Sequence, residues 1–500
     1  MRRITTPLRV VLGVLAAAVA NSAAARQGEP PYSLVDPAKL ARVVPIENVG
    51  TIDAALRREQ ADAQQRTSTR PTKRMAVADG VDVAIGSDRN GTWDVLPDGS
   101  RLWRVSVRAA GATDLRFGFA HFAPPAGATL YVIGANDYYQ GPYTAADAAA
   151  GAFDSSVVPG DAATIELRIP AGAVASGVLE LTRVGVGFRD LFKQTQDTGP
   201  GTSGACNINV VCPLGQPYAD PIRAVAYYEF VADDDHGTYI CSATLLADVP
   251  QDRRNYLLTA AHCVASATEA NSMVVYWNYQ STVCGGLVAP AGGYYNDDQH
   301  GASLRATRAD ADFALVELLQ TPDPTWDVYY AGWDASGALP SGTIGIHHPS
   351  GDVKKITAGP APGTTDNCIG TGGASANTHW ETGPYSQGTT EGGSSGSGLF
   401  IKAGNGSGRD RLLIGTLSGG LAACGEVNPT QPNNETDCYG KLASAWNGSS
   451  ALTRLRDWLD PANTGALTGA GVDSQVTVPD PRRFGHSRHQ RPTGSAAARD

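Results

Sequence analysis

The chain has 500 residues, 42% of them hydrophobic, which is long enough for two to four domains with full cores. Acids outnumber bases, 49 to 39, for a net charge of −10. With no basic excess, this balance argues against a nucleic-acid-binding surface and for an acidic, soluble protein.

The first 25 residues, MRRITTPLRVVLGVLAAAVANSAAA, join Arg2, Arg3 and Arg9 to an apolar run and then to small residues. This is the pattern of a secretory signal peptide, with cleavage expected after Ala25. The apolar run is too short to span a bilayer, and no later stretch is long enough, so a secreted, extracellular product with no membrane association is expected. The eight cysteines all lie from 206 to 438 and contain no C-x-x-C spacing, so they read as a disulfide framework rather than a zinc site.

Residues 26 to about 75 are polar, with a short helix predicted over 51–66 and capped by Thr51 or Asp53. From 76 to 190 the pattern turns to β. Trp103, Val105 and Val107 alternate with polar neighbours after a Pro-Asp-Gly turn, and further strands are predicted over 129–133, 164–169 and 177–184. Short strands with turn signals between them predict a β-sandwich. It carries no chemical constellation, and His121 reads as a structural residue in an apolar setting.

A polar, turn-rich stretch over 190–200 reads as a linker exposed to proteolysis. Residues 201–473 are dense in short strands, predicted at 224–230, 239–246, 256–259, 273–279, 313–318 and 412–417. A terminal helix over 451–459 has Leu452, Leu455 and Leu459 on one face. Residues 474–500, basic and small, are expected to be disordered. The fold class is therefore all-β.

Chemistry concentrates in TEGGSSGSGL at 390–399. Ser395 sits among glycines that let the backbone fold tightly, so that the N–H groups of Gly393 and Ser395 can face a developing oxyanion. A serine hydroxyl needs a general base and a carboxylate to orient that base. His262 follows the apolar strand 256–259. Asp312 heads the apolar run FALVEL, where an acid is costly unless partnered; Asp310, in a polar segment, is the less favoured choice. The order His262, Asp312, Ser395 argues against an α/β-hydrolase. Its elbow would be read at Ser394, but its histidine must follow the serine, and only His486 and His489 do so.

TAAHC at 259–263, followed downstream by a glycine-flanked serine, is similar to the trypsin/chymotrypsin-like serine proteases. Long strings narrow the likeness: GTSGACNINVVCP from 201, VVYWNYQSTVC from 274, AGWD from 331, GIHHP from 345 and RLRDWLDPANTGA from 454. Over nearly all of 201–465 the chain resembles the bacterial lysyl endopeptidases. The resemblance implies a double β-barrel protease domain behind a propeptide of residues 26–200, with His262, Asp312 and Ser395 as its triad. It also implies disulfides Cys206–Cys424, Cys212–Cys284 and Cys241–Cys263, and leaves Cys368 for Cys438. His347 and His348 fall in what is a structural loop of that family, so no metal and no cofactor are implied.

A cationic side chain in a closed pocket needs a buried acid. Thr389, six residues before Ser395, supplies none, whereas the resemblance places that acid at Asp437, after the last strands, with Ser418, Gly419 and Gly420 as the pocket wall. The implied activity is secreted endopeptidase action after lysine, arginine, or both, through an acyl-enzyme. Protein or peptide substrates and the chain's own propeptide are its partners.

Three departures stand out. Ser418 replaces the family's histidine, and the tryptophan that stacks on it is replaced near Cys368 and Ile369, which opens arginine preference. Ser394 stands where trypsin has the aspartate that pairs with a freed N-terminus, so that switch is absent. The nearest basic residue before Gly201 is Lys193. An alternative of another class is an adhesive or carbohydrate-binding sandwich on an inactive protease-like scaffold.

Overall fold

A computed structural model of the chain describes residues 29–40, 42–67, 72–148, 151–192, 202–290, 293–370, 376–404 and 408–474. The expected signal peptide, Lys193, the junction at 200–201 and nearly all of the expected tail lie outside them. The N-terminal unit is a sandwich whose core is built from alternating apolar residues such as Trp103, Val105, Phe117, Ile165, Leu181 and Val184. One of its sheets runs in the order Ile46–Thr51, Arg101–Ala110, Ala162–Ile169, Thr129–Ile133, Tyr139–Tyr143, with Thr92–Val95 also on Arg101–Ala110. The helix Ala54–Thr67 is capped by Asp53, whose Oδ1 accepts from the Leu56 N–H at 3.0 Å.

The other sheet does not stop at the expected boundary. Met75–Gly86 pairs with Leu179–Gly187 on one side and with Thr238–Leu246 on the other, so a single sheet continues from the sandwich into the downstream unit. Its partner strand lies far off in the chain, with Ala78 facing Thr238 across a separation of 160 residues, and nothing local marks the edge it completes.

Downstream, Val225–Val231 pairs with Thr238–Leu246, which pairs with Tyr256–Thr259, then Phe313–Leu318, then Ala302–Arg308. Asp298–His300 runs straight into Ala302–Arg308 and returns through Val274–Tyr276 to Val225–Val231, closing a barrel. The second barrel takes Ile208–Asn209, Lys355–Gly359, Thr343–His347, Gly398–Ile401, Leu413–Gly420, Asp437–Lys441, His379–Thr382 and Gly363–Thr365 in order. Leu246, Leu258 and Phe313 of the first barrel pack with Ile344, Phe400 and Leu413 of the second in one buried cluster. Burying each such side chain contributes about 1.5–3 kcal/mol. The architecture is the double β-barrel of trypsin-like proteases behind a β-sandwich. Four disulfides join Cys206–Cys424, Cys212–Cys284, Cys241–Cys263 and Cys368–Cys438.

Several expectations are corrected. The helix over 451–459 is two short pieces, Ala451–Thr453 and Arg456–Leu459, because Arg454 is extended. Leu455 and Leu459 are buried, but Leu452 is exposed. The strand over 273–279 shortens to Val274–Tyr276, before the left-handed Asn278. His121 is exposed, its Nε2 2.9 Å from the Gly177 carbonyl, because it lies near the end of Asp114–Phe122, beyond the residues Leu115, Phe117 and Phe119 that this strand gives to the core.

Candidate active site

His262, Asp312 and Ser395 arrive from three separate loops where the barrels meet. His262 follows Tyr256–Thr259 and is tied down by the adjacent Cys241–Cys263 bridge. Its Nδ1 lies 2.9 Å from Asp312 Oδ2 and its Nε2 2.7 Å from Ser395 Oγ. Asp312 has φ of +47°, a left-handed conformation that aspartate tolerates better than most residues, and this turns its carboxylate back toward His262. There Oδ1 also accepts the His262 backbone N–H at 3.0 Å. A carboxylate at Nδ1 favours the tautomer that leaves Nε2 free to accept the serine proton. Asp310 is instead engaged by Arg308 and lies off this line.

The serine loop turns on Gly393, with φ of +90°; a Cβ there would lie 2.7 Å from the His348 carbonyl oxygen. The turn aims the Gly393 and Ser395 N–H groups at one point, which the Lys73 carbonyl oxygen occupies, 3.4 Å from Ser395 N. Ser394 faces the other way: its Oγ accepts from Glu391 N–H at 3.1 Å and meets His347 Nδ1 at 2.8 Å. Burial, then the charges of Lys73 and Lys355, push His347 down to about 3, so it is neutral at pH 7. Ser394 thus takes a neutral partner.

Beside Ser395 a narrow pocket ends at Asp437, whose side chain is 0% exposed. Asp437 opens the strand Asp437–Lys441 rather than following the last strands, and it pairs with Gly420. Any Cβ on Gly420 would lie 2.4 Å from Asp437 Oδ1, so only glycine lets the wall pass this close. Oδ2 accepts from Thr390 Oγ1 at 2.6 Å and from the Tyr385 hydroxyl at 2.9 Å. Burial, then Asp437 itself, raise Tyr385 well above the usual range, so it remains a donor. Lys73 Nζ sits 2.9 Å from Asp437 Oδ1, 2.7 Å from the Ala422 carbonyl and 3.2 Å from the Thr390 carbonyl, and it also touches Thr390 Oγ1.

The sequences of both units match family models: "Lysyl endopeptidase N-terminal domain" over residues 50–182 and "Lysyl endopeptidase, C-terminal domain" over 200–440. A lysyl endopeptidase of Pseudomonas aeruginosa is 32% identical over 366 residues, 69% of this chain and 73% of that protein. The chain belongs to the lysyl endopeptidase family. It is a serine protease, a hydrolase of peptide substrates. Among solved structures, the active form of the Rv3671c protease from M. tuberculosis is similar over 46% of this chain and 79% of that one, at 15% identity and a TM-score of 0.29. Deg5 is similar over 41% and 82%, at 14% identity and a TM-score of 0.26.

Within this lysyl endopeptidase fold a histidine from another strand reaches Ser418. His379 Nε2 lies 3.0 Å from Ser418 Oγ, and Thr378 Oγ1 lies 2.9 Å from its Nδ1. Burial pushes His379 down to about 4, so its ring is neutral at pH 7. Sequence reasoning missed His379, Thr390, Tyr385 and Ala422. Each is a common residue type that gains its role only by contact, His379 with Ser418 and the other three with Asp437. Lys73 had one legible signal: a basic pair, Lys73-Arg74, just ahead of the strand Met75–Gly86.

Proposed function

We propose that the chain is a secreted endopeptidase that cleaves after lysine, with Ser395 as nucleophile, His262 as general base and acid, and Asp312 orienting His262. Ser395 Oγ attacks the substrate carbonyl and passes its proton to Nε2. The Gly393 and Ser395 N–H groups stabilise the oxyanion, and the imidazolium returns the proton to the leaving amine. Water then hydrolyses the acyl-enzyme. The observation that carries the reading is an ammonium ion seated on a buried carboxylate beside the serine, Lys73 Nζ on Asp437. Lysine is favoured over arginine because Nζ already touches Asp437, whose carboxylate is held by Thr390, Tyr385 and Ala422. A guanidinium reaches farther and is planar, so it would have to displace that carboxylate. Gly419 and Ser418 form the wall along which substrate backbone lies.

Residues 26–200 are read as a propeptide that assists folding and caps the site, and residues 1–25 as the export signal. The four disulfides fit an oxidising compartment. Among the described residues no helix is long and apolar enough to cross a membrane. The test is hydrolysis of matched peptides carrying lysine, arginine or glutamate at the cleaved position, by wild type and by Ser395→Ala. Lysyl cleavage that vanishes with Ser395 supports the reading. Equal cleavage of glutamyl peptides, or activity that survives the substitution, refutes it.

A further inference from the structure

Residues 72–75 cross the site as a substrate would. On one side Thr72 pairs antiparallel with Gly419. On the other, Met75 pairs with Ile240 and Ala76 with Tyr239, on the strand that carries Cys241. Between these anchors the Lys73 side chain fills the pocket, being 7% exposed, and its carbonyl oxygen accepts from Gly393 and Ser395 N–H. The Lys73 N–H donates to Ser395 Oγ at 2.9 Å, while that oxygen lies 2.7 Å from His262 Nε2. Arg74 emerges on the His262 side: its guanidinium lies over the Tyr239 ring at 4.6 Å, 3.4 Å from both the His262 carbonyl and Asp234. The amide between Lys73 and Arg74 is thus held against nucleophile, base and oxyanion donors together.

We propose that Lys73–Arg74 is a cleavage site for the chain's own active site, cut within the same molecule. The inference rests on the reading of the site given above. Ser395 Oγ bonds to the Lys73 carbonyl carbon and its proton moves to His262. The Lys73 C–Arg74 N bond then breaks, and Arg74 N takes that proton and leaves as a primary amine. Water attacks the ester, giving the Lys73 carboxylate and restoring the Ser395 hydroxyl. One water is consumed and nothing is oxidised or reduced.

The cut does not free the site at once. Arg74 heads the strand Met75–Gly86, which stays clamped between Leu179–Gly187 and Thr238–Leu246, so the new amine remains beside the acyl group and competes with water. The other half is held by Lys73 on Asp437 and by the helix Ala54–Thr67, whose Arg57 pairs with Asp79 and whose Asp62 pairs with Arg189. The nicked chain therefore keeps its cap until the N-terminal unit is lost.

The test follows the full-length chain with time under denaturing analysis, by mass and N-terminal sequencing. Wild type should yield a new N-terminus, Arg74-Met75-Ala76-Val77, at a rate unchanged by about a hundredfold dilution, since a tethered segment acts at its own effective concentration. Ser395→Ala and Lys73→Gln should lack it. Lys73→Gln, with its cap weakened, should hydrolyse a lysyl peptide roughly tenfold faster at early times, which also shows that it has folded. Lysyl-peptide hydrolysis by a wild-type chain whose 73–74 bond stays intact overturns the inference and leaves the site reading standing. A cutting rate that rises with concentration also overturns it, by placing the cut between molecules. If no chain, Lys73→Gln included, hydrolyses the lysyl peptide, the site reading fails and this inference with it.

Discussion

The pocket floor gives the sharpest energetic prediction. In Asp437→Asn the shape is kept and the charge is lost, while the ammonium keeps its contacts to the Thr390 and Ala422 carbonyls. The pair is almost wholly desolvated, with side chains 0% and 7% exposed, so water does little to replace the missing carboxylate. Truncating one partner of such a buried pair costs about 2–5 kcal/mol. At about 1.4 kcal/mol per factor of ten, kcat/KM for a lysyl substrate should fall by about 30-fold to 4,000-fold. The assay compares lysyl and norleucyl esters on secreted enzyme whose active sites have been titrated with a serine-directed phosphonate. The norleucyl rate should change little, because that side chain never used the charge. A lysyl-to-norleucyl ratio that moves less than about threefold in a fully titratable variant, a tenth of the smallest loss expected, would mean that the carboxylate does not read the cation.

Other consequences follow from the same geometry. Ser395→Ala should lower kcat by about a million-fold, and Asp312→Asn by about ten-thousand-fold through loss of the His262 tautomer; stopped-assay kinetics on an activated lysyl ester checks both. A drop below about tenfold for Asp312→Asn would remove it from its orienting role. Replacing Cys368 and Cys438 together with serine opens a loop of 70 residues, which removes about 4 kcal/mol on the chain-entropy account. Calorimetry should show Tm about 10 °C lower, and a shift below about 2 °C would contradict it. Asp114 is buried in the sandwich and raised to about 7, chiefly by desolvation, with a smaller push from Glu229. Its unfolded value is about 3.9, so its stabilising contribution is complete below pH 4 and is lost as pH rises toward 7, at no more than about 1.4 kcal/mol per unit. Denaturant titrations of Asp114→Asn at pH 4, 5, 6 and 7 should show a shallower decline than wild type, and an identical decline would exclude Asp114 as its source.

What could be read from the chain was whatever has a local signature. Period-two alternation around Trp103 and Val105 announced a sandwich strand, since a pleated strand with one buried face has no other pattern. The glycines of 390–399 marked a tight loop, because only glycine reaches the backbone angles such a cradle needs. The apolar run from Phe313 flagged Asp312, since an unpartnered acid at such an edge is too costly to leave unexplained.

Contacts across long separations belong to the tertiary structure. Lys73 and Ser395 are 322 positions apart, and no periodicity links them. They meet because Met75–Gly86 completes the edge that Thr238–Leu246 leaves open, and completing it draws residues 72–74 across the serine loop. His379 likewise reaches Ser418 only because its strand pairs with Asp437–Lys441, which in turn pairs with the strand that carries Ser418. Residue type decides which groups are able to do chemistry, but distance decides which do it together, and distance is set by strand pairing and packing that no short window of sequence contains.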